Sequence, residues 1–251
     1  MNKWVLTIIC GIIIVFFAFI NSQKLNEGMK NENQHHNITY IVIHMKGNRE
    51  RYENVLLNET KLKQKINIFD AIDGKKINLN DLTNYAPNLK NNFIPNKYTP
   101  NFNIYAGVIG CYLSHLMVIK NIDTNTGYTV IFEDDLKILD DDLHKNINTI
   151  LDNMTDDFDL IFLGNLNNNH KDNYKDNIYY IDPNNHLYGN QAYIVNNKNA
   201  KKIYNLIFNI DDAIDAKYKE LIDKKLLNGF VIYPILVEQK SENKEMNSLI
   251  R

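Results

Sequence analysis

The chain has 251 residues, 44% of them hydrophobic and 23% charged, and a formal net charge of −2. These proportions exclude wholesale disorder, and the lack of a basic excess excludes a nucleic-acid binder held by phosphate contacts. Two cysteines, Cys10 and Cys111, are too few for a disulfide scaffold or a zinc ribbon.

The N-terminus stands apart. Trp4 to Ile20 (WVLTIICGIIIVFFAFI) carries no charge. As a helix it would rise about 26 Å, nearly the thickness of a hydrocarbon core of about 30 Å. Lys3 precedes it, which favours a cytoplasmic N-terminus and an exported bulk. A cleaved signal peptide is the rival reading. Against it, the run exceeds the usual ~7–15 residues, and Phe19-Ile20-Asn21 is a poor cleavage site. Residues 1–22 are therefore expected to be a transmembrane anchor, 23–37 a polar linker and 38–251 the folded domain. The domain is expected on the exported or lumenal side, in the secretory pathway if the source is eukaryotic or viral. His35 and His36 read as solvated linker residues, since no third metal ligand is suitably spaced.

Beyond the linker the pattern alternates. Ile38 to Met45 (ITYIVIHM) reads as a buried strand and Asn48 to Lys65 as a helix; Ile66 to Phe69 is a short strand. Asp73-Gly74 is a turn, and residues 77–103, with Pro87, Pro95 and Pro100, form a long irregular excursion. Tyr105 to Ile122 returns to a helical period. Tyr128 to Phe132 (YTVIF) is the strongest strand and ends at Glu133-Asp134-Asp135. A helix over Asp140 to Met154, a strand over Phe158 to Leu163 and a polar loop over Asn165 to Asn177 follow. Then come strands at Ile178 to Ile181 and Gln191 to Val195, helices at Asn197 to Phe208 and Ala213 to Leu226, and a closing strand at Phe230 to Leu236. Such alternation predicts an α/β domain with a mostly parallel central sheet, whose ligands bind beyond the carboxyl ends of the strands.

Several residues carry possible chemistry. Three adjacent carboxylates after a buried strand repel one another, and suit a hard cation such as Mg²⁺ or Mn²⁺; the bland reading is an acid cluster before a helix. Ser114 and His115 are positioned to hydrogen-bond a sugar or phosphate, but not as a nucleophile pair, because adjacent helical residues do not face each other. Cys111 reads as a small buried hydrophobe. Arg49 and Arg51 would meet phosphate or solvate a helix. Asp211, Asp212 and Asp215 would cap a helix or supply a second catalytic carboxylate. Asn37, Asn58 and Asn153 head N-x-Thr sequons, which an Asn-rich chain generates by chance.

Taken together, the motifs from Ile38 to Gln239 resemble glycosyltransferase family 25, the lipopolysaccharide sugar transferases and collagen galactosyltransferases. The family's opening strand and basic turn look like YIVIHMKGNRERYE. Its A-x-D-G turn is matched by Ala71 to Gly74 and its G-x-x-G-C-x-x-S-H block by Gly107 to His115. VIFEDD matches its strand with E-D-D, and Asp159 to Gly164 its D-x-x-x-L-G segment. QAYIVNNKNAKKI looks like its strand and following helix, and Ile210 to Asp215 its I-D-x-x-x-D segment. One departure is His44-Met45-Lys46, where the family usually has Asn-Leu-Asp.

The resemblance implies a GT-A-like fold and an inverting, metal-dependent transfer of a hexose, with galactose the family-level expectation. The donor would be a nucleotide-diphospho-sugar, most simply a UDP-sugar, and the acceptor a glycan or hydroxylated protein. Mn²⁺ or Mg²⁺ would sit at Asp135 and Asp134. Arg49, Arg51, Asp73, Gly110, Ser114, His115, Glu133 and Asp134 would line the donor site, with the base among Asp211, Asp212 and Asp215 and Asp211 first choice. A catalytically inactive carbohydrate-binding module of the same fold is the alternative.

Overall fold

The computed structural model describes residues 36–77, 102–125, 127–154, 157–167, 170–241 and 246. The expected anchor, the linker through residue 35 and nearly all of the excursion at 77–103 lie outside these residues. Among the described residues no helix is long and apolar enough to cross a membrane. All elements below belong to the unit Asn37–Arg251.

In chain order these are β1 (Ile38–His44), α1 (Arg49–Leu62), β2 (Ile66–Asp70), a 3₁₀ turn (Gly74–Lys76), α2 (Phe102–Lys120), β3 (Tyr128–Glu133), β4 (Leu136–Ile138) and α3 (Leu143–Asn153). Then follow β5 (Leu160–Phe162), β6 (Asn173–Lys175), β7 (Ile178–Tyr180), β8 (Ala192–Asn196), a 3₁₀ turn (Asn197–Asn199), α4 (Ala200–Ile207), α5 (Ile214–Asp223), β9 (Gly229–Ile232) and β10 (Val237–Gln239). Eight strands form one sheet in the order β2-β1-β3-β8-β5-β9-β7-β6.

The sheet is mixed, which corrects the expectation of a mostly parallel one. β1 runs parallel to β2 and β3, and β5 to β9. The pairs β3–β8, β5–β8, β7–β9 and β6–β7 are antiparallel. The reason lies between β5 and β8, where the described residues contain the β6–β7 hairpin and no helix; parallel neighbours need a crossover.

Side-chain alternation builds two cores, one on each face. Tyr40, Val42, Val130, Phe132, Ile161 and Ile194 face α1 and α3. Ile43, Ile131, Leu160, Phe162, Tyr193 and Val195 face α2, α4 and α5. The result is a three-layer α/β/α domain. From β1 the chain crosses to β2 through α1 on one face, then to β3 through α2 on the other. The carboxyl ends of β1 and β3 therefore flank a topological switch point, where open α/β sheets bind ligands.

Local chemistry fixes α1. Asn48 caps its start, with Oδ1 accepting from the Arg51 backbone at 3.1 Å, and Lys63 closes it in a left-handed conformation. A small ribbon that the sequence pattern did not predict, β4 paired antiparallel with β10, lies against this helix. Asn54 Nδ2 donates to Leu136 O at 2.9 Å, and Asn58 Oδ1 accepts from Ile138 N at 3.0 Å. Side-chain amides four residues apart thus satisfy a strand edge. Asn58 is 4% exposed, so this sequon is not an accessible glycosylation site in the folded domain.

Two glycines seat the loop after β2 against α2. A Cβ on Gly110 would lie 2.5 Å from Ile72 O and 2.7 Å from Gly74 N; one on Gly74 would lie 1.6 Å from Ala106 O. Helix propensity alone favours Gly110→Ala by about 1 kcal/mol. The backbone clash reverses the sign, since overpacking against main chain costs about 1–3 kcal/mol. Gly110→Ala should therefore lower the urea midpoint, whereas the propensity argument alone expects it to rise.

Candidate active site

At the switch point, the turn after β3 delivers its carboxylates into the protein. Asp134 and Asp135 are 4% and 1% exposed. Asp134 is fully engaged: Oδ2 accepts from His44 Nδ1 at 3.0 Å and from Met45 N at 3.1 Å, and Oδ1 takes a short bond from Arg51 Nη1. The second guanidinium nitrogen, Nη2, reaches Asp135 Oδ2 at 3.3 Å. Arg51, the third residue of α1, is itself buried.

Arg51 clamps the acidic turn and, with Asp134, also lines the cavity described below. Both Asp134 oxygens accept hydrogen bonds, while Asp135 keeps one oxygen without a partner. One expectation is revised. Arg49 points outward and pairs with Glu53 at 2.8 Å on the helix surface, away from the cavity described below. That is the solvation reading, and a two-residue offset in a helix of 3.6 residues per turn accounts for the difference between Arg49 and Arg51.

Asp135 differs from its neighbour. Its Oδ1 is buried and makes no hydrogen bond, while Oδ2 accepts from Gln239 Nε2 at 3.2 Å. The same amide nitrogen donates to Glu133 Oε2 at 3.2 Å, so Gln239 holds two carboxylates together. Burial first, and the negative charge of Glu133 second, push the Asp135 carboxyl up to about 6, with Arg51 and a hydrogen bond with Ser241 pulling the other way. One guanidinium faces three carboxylates, an excess of negative charge with one idle oxygen. The unpartnered Asp135 oxygen, with Asp134 and Glu133 beside it, would suit a hard divalent cation.

α2 forms the opposite wall of a cavity of about 250 Å³, whose lining includes Cys111, Ser114, His115 and Glu133. Ser114 is a tether more than a free hydroxyl: Oγ accepts from Ile72 N at 2.8 Å and donates to Gly110 O at 2.7 Å. It thereby holds the loop carrying Asp73, which lines the same cavity. Asp73 caps the short turn by accepting from Lys75 N at 3.1 Å, and its bond to Lys76 draws its carboxyl below the ordinary range. His115 is wholly buried, with Nδ1 2.8 Å from Tyr193 Oη. Its Nε2 stands 3.4 Å from Glu133 Oε1.

The acidic segment before α5 is divided by geometry. The helix begins at Ile214, so Asp211 lies before it and shares no helical face with Asp215. Asp211 is bound to Lys217 Nζ at 2.7 Å, and Asp212 accepts from the Ala213 backbone at 2.7 Å; both are exposed. Asp215 turns inward. Its Oδ2 accepts from Gly189 N at 3.2 Å and Oδ1 from Ala216 N at 2.9 Å. Burial pushes its carboxyl up, the two backbone bonds oppose this, and the charge of Glu133 adds to the rise. Asp215 is therefore the member of the trio within electrostatic reach of the site.

His44, Gln239 and Tyr193 were missed by sequence reasoning. They come from a strand end, a three-residue strand and a core position, and reach the site only through pairing with residues 78 to 104 positions distant. His44 stands where the family pattern is broken, which was a signal that could have found it.

Comparison with known proteins bears on this arrangement. Residues 37–218 match the model of glycosyltransferase family 25 (LPS biosynthesis protein). Human procollagen galactosyltransferase 2 is 24% identical over 218 residues, covering 78% of this chain and 34% of that protein. The mouse protein of the same name is 24% identical over 217 residues with the same coverage. This chain thus spans about a third of the length of these relatives. A crystal structure of a glycosyltransferase involved in the glycosylation of the major capsid of PBCV-1 aligns over 83% of this chain and 99% of that one, with 10% identity and a TM-score of 0.40.

Proposed function

We infer the activity from membership: the chain belongs to glycosyltransferase family 25. It transfers a hexose, galactose in the simplest case, from a nucleotide-diphospho-sugar to a hydroxyl of a glycan or protein. The observation that carries the reading is the over-charged acidic turn after β3, buried at the switch point with one Asp135 oxygen idle. Such a turn is costly to fold around and is explained by a cationic, diphosphate-bearing occupant. Galactose and a protein hydroxyl are suggested by the name of the procollagen galactosyltransferase relatives.

In this mechanism Asp135, with Asp134 beside it, would hold Mn²⁺ or Mg²⁺, which when bound would supply positive charge to the leaving diphosphate. The α2 wall and the Ser114-tethered loop enclose the donor, with Asp73 and His115 at its boundary. Asp215 takes the proton from the acceptor hydroxyl as its oxygen attacks the anomeric carbon. The bond from that carbon to the diphosphate oxygen breaks with its electron pair, and a single displacement inverts the centre. Arg51 holds Asp134 and Asp135 in place and lines the donor cavity. Residues 4–20 anchor the enzyme in a membrane, with the domain on the exported side.

The test is transfer and donor hydrolysis by the purified full chain across UDP, GDP and CMP sugars with Mn²⁺ and with EDTA. Donor binding without turnover on any acceptor would instead favour a carbohydrate-binding module. Asp135→Asn is expected to fold and to lose metal-dependent turnover; full activity in EDTA would sink the metal assignment. There is also a stability signature. The folded carboxyl titrates near 6, above an unfolded value of about 4. Ionising Asp135 therefore costs stability across that interval as pH rises. Wild type should lose stability relative to Asp135→Asn between those values, measured by thermal melts without metal.

A further inference from the structure

We propose that Cys111, His115 and Glu133 form a three-ligand site for a thiophilic divalent cation, Zn²⁺ or Co²⁺, beside the hard-ion position at Asp135. One donor atom from each residue lies within 4.8 Å of the others. Around a tetrahedral ion, with metal–sulfur bonds of about 2.3 Å and metal–nitrogen bonds of about 2.0 Å, donors stand about 3.5 Å apart. Rotamer adjustments of about 1 Å close the difference.

Three independent features aim these groups at one point. Cys111 and His115 are four residues apart on α2, so thiol and imidazole share a helical face. Glu133, at the end of β3, presents Oε1 to His115 Nε2 at 3.4 Å, while its Oε2 is held by Gln239. His115 is 0% exposed, yet its Nε2 makes no hydrogen bond. A fully buried ring nitrogen left without a hydrogen bond is costly, and coordination would offset that cost.

The surroundings suit a metal-binding histidine. Nδ1 is 2.8 Å from Tyr193 Oη, which is 3.4 Å from Tyr218 Oη. Coordination would need the tautomer in which Nδ1–H donates to Tyr193 and the Nε2 lone pair meets the ion; without an ion, Glu133 favours a proton on Nε2, which the cation would displace. All three residues line the same cavity, which gives the ion an entry path and leaves its fourth position open. A thiolate, an imidazole and a single carboxylate favour zinc or cobalt over magnesium and manganese.

Cys111 is a free thiol. Burial, and then the charges of Glu133, Asp215, Asp135 and Asp134, hold it protonated without a cation. Binding exchanges that proton for the metal: the S–H bond breaks, the proton leaves to buffer, and the sulfur pair forms the metal–sulfur bond. Affinity should therefore fall at low pH.

The experiment titrates the EDTA-stripped full chain, in detergent, with Co²⁺ and reads its absorption. One equivalent should give a thiolate-to-cobalt charge-transfer band in the near ultraviolet, displaced by Zn²⁺ and resistant to a roughly 100-fold excess of Mn²⁺. Cys111→Ser should abolish the band. Glu133→Gln should keep it with affinity about 10–100-fold weaker. If Cys111→Ser fails to fold, His115→Gln takes its place and must weaken binding to at least the same degree. No band in wild type, or a band that survives loss of Cys111 and so arises from Cys10, overturns the proposal. The readout needs no turnover, so a cobalt-binding chain without transferase activity would defeat the proposed function and leave this site standing, and the converse holds.

Discussion

Asp215→Asn should lower kcat for hexose transfer by about 10²–10⁴-fold, the usual worth of a positioned general base. KM for the donor should stay within a few-fold, because the side chain acts on the acceptor side. The geometry distinguishes it from its neighbours. Asp215 is held by Gly189 N and Ala216 N, bonds that fix the carboxylate while leaving lone pairs for an acceptor proton. Asp211 is an exposed partner of Lys217, a pairing worth at most about 1 kcal/mol. Asp211→Asn should therefore remain near wild type.

The pH profile gives a second handle on the same residue. Burial raises the Asp215 carboxyl above its ordinary range, so the base form is lost as pH falls through that raised value. An acidic limb of kcat lying above the usual carboxylate range, absent from the residual activity of Asp215→Asn, is the expected pattern. Equal and small losses from Asp211→Asn, Asp212→Asn and Asp215→Asn would place the base elsewhere.

The choice of Asp215 over Asp211 shows where sequence reading stops. A motif supplies an acidic segment, but the residue that turns inward depends on where α5 begins, and Ile214 rather than Asp211 opens it. The strands with dense β-branched character, Ile38–His44 and Tyr128–Glu133, were legible because burial on both faces needs that composition. Three-residue strands such as β4 and β10 leave no period to detect. Strand direction was illegible for a different reason: it depends on whether the connection crosses the sheet, and a polar loop followed by one short strand over residues 163–191 does not show that. The acidic turn itself was visible as a site. That Asp134 is consumed by Arg51, His44 and Met45 while Asp135 keeps an oxygen idle follows from pairings across more than 80 residues.

Arg51→Met should destabilise the domain by about 3–5 kcal/mol near pH 8, the cost of stranding buried charge. The guanidinium is buried and spans two buried carboxylates. Replacing it with an uncharged side chain of similar length preserves much of the packing, so the loss reads mostly as electrostatics. Without Arg51, Asp134 and Asp135 face each other and Glu133 with no cation, and their folded-state carboxyls must rise. A raised carboxyl costs stability above its unfolded value and returns it as pH falls. The deficit of Arg51→Met should therefore shrink toward pH 4–5. A double variant, Arg51→Met with Asp134→Asn, removes one stranded charge and should be more stable at pH 8 than Arg51→Met alone, with a coupling of about 0.5–3 kcal/mol in the cycle. Denaturant melts at both pH values measure this directly. A pH-independent deficit with no coupling would mean that Arg51 contributes through packing of its aliphatic stem, and that the acidic turn is held in place by its backbone alone.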